Sequence, residues 1–280
     1  MKSAFNIVGL AMGWSKLWIA PLLMMALLSA CSGSEEEAQI EQPVDELYNL
    51  ALDTALSGDT KAAAPLFEEV ERQHPYSIWA VRAQIMAAWS FYNDNDYPQA
   101  VATLNRFIEL YPADPLTEYA YYLQALCYYE QIVDVERDAD MTYRALDAFE
   151  ELLRRYPESQ YARDSKLKAD LARSQLAGKE MAVGRFYLKE GHINAAIKRF
   201  ATVVKEYDQT NQVPEALYRM VESYLSLGLT DEADRVAQVA NYNFPDSYWT
   251  EQVNLVVENP GRAGPRGLIG SIADRALSLF

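Results

Sequence analysis

The sequence predicts an all-α protein, an α-solenoid of about five antiparallel helix pairs with ten or more helices. Two observations carry this. Apolar residues recur at helical spacing from Pro43 to Tyr248, and no alternating strand-type run competes with them. Within that stretch, one pattern of turn, small, large and breaker residues returns five times.

The first copy is Gly58-x-Thr60-x-x-Ala63-x-x-x-Phe67-x-x-Val70, followed by Pro75. The second is Asn95-x-Tyr97-x-x-Ala100-x-x-x-Leu104-x-x-Phe107, followed by Pro112. The third is Thr142-x-x-Ala145-x-x-x-Phe149-x-x-Leu152, with Pro157. The fourth is Gly191-x-Ile193-x-x-Ala196-x-x-x-Phe200-x-x-Val203, with Asp208 where Pro is expected. The fifth is Gly228-x-Thr230-x-x-Ala233-x-x-x-Ala237-x-x-Ala240, with Pro245. A small residue lets the second helix of a pair approach the first. Large residues four and seven positions on share its face and fill the space beyond. Proline ends the helix because the residue before it avoids the α region. Gly184, Tyr187 and Tyr224 fill the matching small and aromatic positions of the preceding helices.

This pattern resembles the tetratricopeptide repeat, an antiparallel helix pair. The repeats are expected at about 43–75, 78–112, 115–157, 161–208 and 212–246, inside a solenoid spanning 43–248. Repeats three and four are longer than the others. Val133-Asp-Val-Glu-Arg-Asp-Ala-Asp140 reads as a polar loop, and Tyr161–Lys189 as one long helix.

Residues 1–30 read as an address. They hold Lys2 and Lys16 but no acid, and then an apolar run from Leu17 to Leu28. That run is shorter than the roughly 20 residues a membrane-spanning helix needs, and it suits a secretory signal peptide. Leu28-Ser29-Ala30-Cys31 resembles the bacterial lipobox, which makes Cys31 the lipidation site. The acidic, serine- and glycine-bearing stretch 31–42 fits a flexible tether between lipid and fold. Ser32, rather than Asp, follows the cysteine; by resemblance to enterobacterial lipoproteins this sends the protein to the periplasmic face of the outer membrane. Translation starts at Met1 or at Met12.

The 40 acids against 25 bases give a formal net charge of −15, which excludes ordinary nucleic-acid binding. Two histidines and the absence of His-Glu-x-x-His, Cys-x-x-Cys, phosphate-loop and nucleophile-elbow motifs argue against an enzyme and a metal site. Acid pairs such as Glu68-Glu69 and Glu150-Glu151 read as solvated faces. Cys127, among Tyr121, Tyr122, Leu123, Leu126 and Tyr128, reads as a reduced core residue. No cofactor is expected beyond a covalent lipid on Cys31.

The lipobox, the tether, five repeats with these insertions, and the phrases Phe107-Ile-Glu-Leu-Tyr-Pro112 and Arg154-Arg-Tyr-Pro-Glu-Ser-Gln-Tyr161 together resemble the BamD family. Those proteins are lipoproteins of the outer-membrane β-barrel assembly (BAM) machine. The resemblance implies a non-catalytic subunit whose C-terminal repeats hold the last POTRA domain of BamA. Its N-terminal repeats would receive unfolded β-barrel proteins, and the other BAM lipoproteins would be further partners. A family arginine in the BamA contact falls on Arg199, beside Lys198. The family tyrosine that closes repeat one, implied to bind substrate, falls on His74, with Tyr76 as a further substrate-binding residue and Tyr76 and Trp79 keeping aromatic bulk nearby.

Repeat arrays of this kind line a groove with the outward residues of the first helix of each pair. In this register those are Tyr48 and Leu52, then Arg82, Ile85, Trp89 and Tyr92. Rings of a bound strand would stack on Trp89 and Tyr92, with Arg82 near its carboxylate. The alternative for both rings is packing between repeats. A second functional reading is another envelope repeat lipoprotein, such as a secretin pilotin or a cell-wall coordination factor. Residues 249–280 are expected as a flexible tail. In it, Leu268, Ile269, Ile272, Ala276, Leu279 and Phe280 lie at helical spacing and either cap the solenoid or dock on a partner.

Overall fold

The computed structural model describes residues 41–134 and 137–259. The signal peptide, Cys31, most of the tether and the tail from 260 lie outside the described residues. Within them, eleven helices and no strand occur. Helices α1 (Val44–Leu56) and α2 (Thr60–Gln73) form repeat one. Repeat two is α3 (Ile78–Asn93) and α4 (Tyr97–Leu110), and repeat three is α5 (Thr117–Tyr129) and α6 (Asp140–Arg155). Repeat four is α7 (Ala162–Lys189) and α8 (Ile193–Glu206), repeat five is α9 (Val213–Ser226) and α10 (Thr230–Asn243), and α11 (Tyr248–Glu258) follows. Helices α1 to α10 pack mainly on their neighbours in the chain, as a solenoid requires, and α11 packs on both α9 and α10.

The pattern residues do what their types dictate. Ala63, Ala100, Ala145, Ala196 and Ala233 are fully buried. So are Phe67, Leu104, Phe149 and Phe200, one turn further on. The turns inside repeats one, two, four and five place Gly58, Asn95, Gly191 and Gly228 at positive φ, between 62° and 93°. Glycine takes that conformation without penalty, and asparagine tolerates it. Asp59 and Asp96 then start α2 and α4 by accepting the amides of Ala62 and Gln99.

Second helices end alike. His74, Tyr111, Tyr156, Tyr207 and Phe244 each donate their amide to the carbonyl four residues back, with φ between −126° and −136°. Their own carbonyls accept the amides of Ser77, Asp114, Ser159, Thr210 and Ser247. Repeat four makes this exit with Asp208 in place of proline. The turn and its hydrogen bonds therefore set the exit geometry, and proline reinforces it.

One contact shows why the small position is obligatory. A Cβ on Gly184 of α7 would sit 2.5 Å from Cε1 of Phe200 on α8. The Phe200 ring is fully buried and has no room to retreat.

The two insertions meet. Helix α7 is one unbroken helix of 28 residues, about 42 Å long at 1.5 Å per residue. Its surplus turns hold the loop between α5 and α6: Gln175 Nε2 donates to the Val133 carbonyl at 3.2 Å, and Lys179 Nζ donates to the Arg137 carbonyl at 2.8 Å. An open cleft of about 410 Å³ lies at this junction, lined by Tyr129, Glu130, Ile132, Val133, Leu171, Ala172 and Gln175.

The expected end of the solenoid at 248 is corrected by α11. Ser247 caps that helix by accepting the Trp249 amide, and Thr250, Val253 and Val256 are buried against the last repeat. The five full copies of the pattern end at Pro245, so spacing alone did not mark α11.

Gly184→Ala tests the close approach. The helix-propensity gain of about 1 kcal/mol is outweighed by overpacking of about 1–3 kcal/mol. The urea midpoint should fall; an unchanged or higher midpoint would show that α7 and α8 separate freely.

Candidate functional site

The sequence grouped six residues as one substrate groove, but the structure separates them. At one end lie Tyr48 of α1 and Trp79 and Arg82 of α3. The Tyr48 ring is 4.7 Å from Trp79 and 5.6 Å from Phe67, and the Arg82 guanidinium lies 5.6 Å from the Trp79 ring centroid. Burial pushes the Tyr48 hydroxyl up, and Arg82 partly offsets this. Tyr48 is half-buried and Arg82 is exposed. Tyr48 therefore serves the seam between repeats as much as any surface, which corrects its expected outward placement. Trp79, outside the expected set, is the ring that joins Tyr48 to Arg82. Tyr76 is fully exposed on the α2–α3 connection, and His74 is the C-cap of α2.

Trp89 and Tyr92 sit seven and ten residues beyond Arg82 on α3, about 10 and 15 Å along the axis. Trp89 is half-buried and packs against the cores of both repeat one and repeat two. Its expected role as an outward ring is thus corrected: the inter-repeat seam holds it. Ile85 is buried in the core of repeat two. Tyr92 is half-buried, 5.9 Å from Tyr97, and its hydroxyl faces Glu130 Oε1 at 3.4 Å. Burial, then the Glu130 charge, pushes its hydroxyl up to about 12.

Beyond Tyr92 the tyrosines continue. Tyr122 of α5 stacks on Tyr161 at 4.8 Å, and Tyr119 lies 5.6 Å from Tyr161. The Tyr122 hydroxyl donates to Asp164 Oδ2 at 2.7 Å, and Lys168 Nζ donates to the same oxygen at 2.6 Å. Burial pushes Tyr119 up to about 12. Cys127 is buried, and burial pushes its thiol up to about 12, as expected of an inert core cysteine.

The second site is in repeat four. Arg199 Nη1 donates to Glu180 of α7 at 3.1 and 3.3 Å. The arginine side chain is 44% exposed and the glutamate 14%. The Glu180 hydrogen bond and charge hold the guanidinium above its usual range. Lys198 is exposed beside it. Sequence reasoning missed Glu180 because it lies on another helix, nineteen residues upstream, with no motif linking the two.

Repeat five holds a more buried group. Arg219 donates to Glu222 Oε2 at 3.0 Å and lies 3.5 Å from Glu215, which also meets Arg185 of α7 at 3.0 Å. The Arg219 guanidinium lies 5.6 Å from the ring of Trp249, which pins α11 to α9. Among the described residues no cluster of three metal-ligating side chains occurs, and no helix is long and apolar enough to cross a membrane.

Fold and surfaces together define a tetratricopeptide-type helical-repeat protein that presents side chains from successive helix pairs. The profile of the YfiO family, described as "outer membrane lipoprotein", matches residues 40–239. The chain is 46% identical to outer membrane protein assembly factor BamD of Caulobacter vibrioides, over 82% of this chain and 77% of that protein. It is 41% identical to the BamD of Rickettsia prowazekii, over 88% of this chain and 98% of that protein. Against the BamD of Neisseria meningitidis serogroup A it is 32% identical, over 79% and 88%. The chain belongs to the BamD family of outer membrane protein assembly factors.

The raised tyrosines predict an alkaline limit. An unfolded tyrosine ionises near about 10, whereas Tyr92 and Tyr119 hold their protons to about 12. Their contribution to stability is complete below pH ~10 and is lost as pH rises through about 12. Urea midpoints should decline over that window, with tyrosinate absorbance appearing late. Flat midpoints across it would show that these rings are solvated.

Proposed function

We propose that this protein is a non-catalytic, lipid-anchored subunit of the BAM machine, held at the outer membrane through Cys31. Its C-terminal repeats bind the last POTRA domain of BamA, with Arg199 and Lys198 at the contact. Its N-terminal repeats receive unfolded β-barrel proteins, and the other BAM lipoproteins share the assembly. Similarity to BamD over the whole repeat array is the observation that carries this reading. It favours an assembly factor over a pilotin or a cell-wall coordination factor.

The geometry supports the division of labour. Arg199 is bonded through Nη1, and its half-exposed side chain offers further guanidinium edge to an acidic partner. At the other end, Arg82 and Tyr76 are exposed, and Trp79, half-buried against the core of repeat one, lies 5.6 Å from the Arg82 guanidinium. Trp89 and Tyr92 support that surface from the seam, Tyr48 backs Trp79, and His74 shapes the α2 exit. A strand ending in an aromatic residue and a carboxylate would meet Trp79 and Arg82 together.

Arg199→Ala should weaken binding to the isolated last POTRA domain by about 2–5 kcal/mol, roughly 30-fold or more. It also strands Glu180, so the melting temperature should drop modestly, by about 1 kcal/mol in stability. Glu180→Gln gives the control. It breaks the ion pair but leaves the arginine, and affinity should stay within about threefold. Equal losses in both variants would assign the effect to folding of repeat four and refute the contact.

Cys31→Ser should leave an unprocessed precursor that misses the outer-membrane fraction. Normal maturation and fractionation of that variant would refute the anchor.

A further inference from the structure

Helix α11 is built as the first helix of a repeat. Counting from the capping serines Ser77 and Ser247, it aligns with α3. Each serine accepts the amide of the tryptophan two residues on, Trp79 or Trp249. In α3 the positions four, eight and eleven after the serine are Val81, Ile85 and Ala88, and they pack in the core that α4 completes. The same positions of α11 are Glu251, Leu255 and Glu258. All three are exposed, and Leu255 is 38% open to solvent although an apolar neighbour covers its counterpart in repeat two. The other side of α11 is finished, with Val253 and Val256 buried in the core of repeat five.

The sequence after α11 carries the matching half of the pattern. Gly267 follows Ser247 by 20 residues; Asn95 follows Ser77 by 18, and Gly228 follows Thr210 by 18. From Gly58 the second-helix positions fall two, five, nine and twelve residues on, at Thr60, Ala63, Phe67 and Val70. From Gly267 the same steps reach Ile269, Ile272, Ala276 and Leu279. All four are apolar, although large and small have exchanged places at the second and third. Charge is complementary as well. Residues 260–280 carry Arg262, Arg266 and Arg275 against Asp274 alone, whereas the open face of α11 offers Glu251 and Glu258 in a chain of net charge −15.

We infer that residues 268–280 are the second helix of a sixth repeat, docking within the same chain on the open face of α11. Its apolar stripe covers Leu255, and Arg275, with Arg262 and Arg266 of the preceding turn, supplies the positive charge that complements Glu251 and Glu258. The stretch 259–267, Asn-Pro-Gly-Arg-Ala-Gly-Pro-Arg-Gly, is the turn. Its prolines and glycines suit a reversal of direction and exclude continuation of α11.

Hydrogen exchange on the isolated mature protein tests this at several concentrations. In the intact chain, amides of 268–280 should exchange at least ~10-fold slower than unprotected peptide, independently of concentration. Ile272→Asp and, separately, Leu255→Asp should abolish that protection and speed exchange in α11, with α1 to α8 unchanged. Leu255 is exposed beneath the tail, so its replacement leaves the array folded and isolates the docking contact. Unprotected tail amides in the isolated protein would overturn the inference. So would protection that rises with concentration, which means a second copy, or protection that appears only with another envelope protein bound.

Discussion

The close approach of two helices over a small residue is the constraint on which the rest of this structure rests. Gly184 against Phe200 is its tightest instance. The contact excludes any side chain from one helix so that a ring from the next can be wholly buried. A solenoid has no central core to compensate for a failed pair, because stability is approximately a sum over repeats and their neighbours. Arg199 sits next to Phe200, and Glu180 one turn before Gly184. The ion pair and the ring contact are therefore parts of one closed helix pair, and any surface offered near Arg199 depends on it.

A second dependence links the insertions. Within a 34-residue type of repeat, neither the loop before α6 nor the length of α7 has an obvious purpose. Together they do. The surplus turns of α7 supply Gln175 and Lys179 to carbonyls of the loop, which would otherwise be an exposed backbone with few partners. The middle of the array is thereby bridged by side-chain–backbone bonds as well as by ordinary stacking. Tyr122 adds to the bridge by reaching Asp164 at the start of α7.

This also marks where the sequence was legible. The alanines, the rings four residues on and the glycines at positive φ are local requirements of a helix pair, so spacing alone exposed them. The long α7 was equally readable, since its interior glycines cost too little to break 28 helical residues. Pairings between helices were not. Glu180 meets Arg199 through tertiary geometry, and no offset in the sequence announces it. Trp89 was misplaced for a related reason. A large aromatic at an outward position of an isolated helix becomes a seam residue once the neighbouring repeat leans on it. Trp79 was seen only as aromatic bulk, because its importance lies in joining Tyr48 to Arg82 across two helices.

In the contact proposed at Arg199, the charge balance constrains how an acidic partner would approach. A net charge of −15 repels such a partner, and screening at physiological salt confines that repulsion to about 8 Å. Inside that distance, Glu180 neutralises much of the guanidinium's field. Long-range steering therefore contributes little, and recognition depends on short-range hydrogen-bond geometry. The ion pair becomes useful in this setting, because holding Nη1 against α7 fixes the plane of the guanidinium. In the proposed contact, a partner carboxylate would meet a group already oriented and would not have to order a free side chain, which costs up to about 2 kcal/mol. What the glutamate removes in attraction it returns in part as pre-organisation.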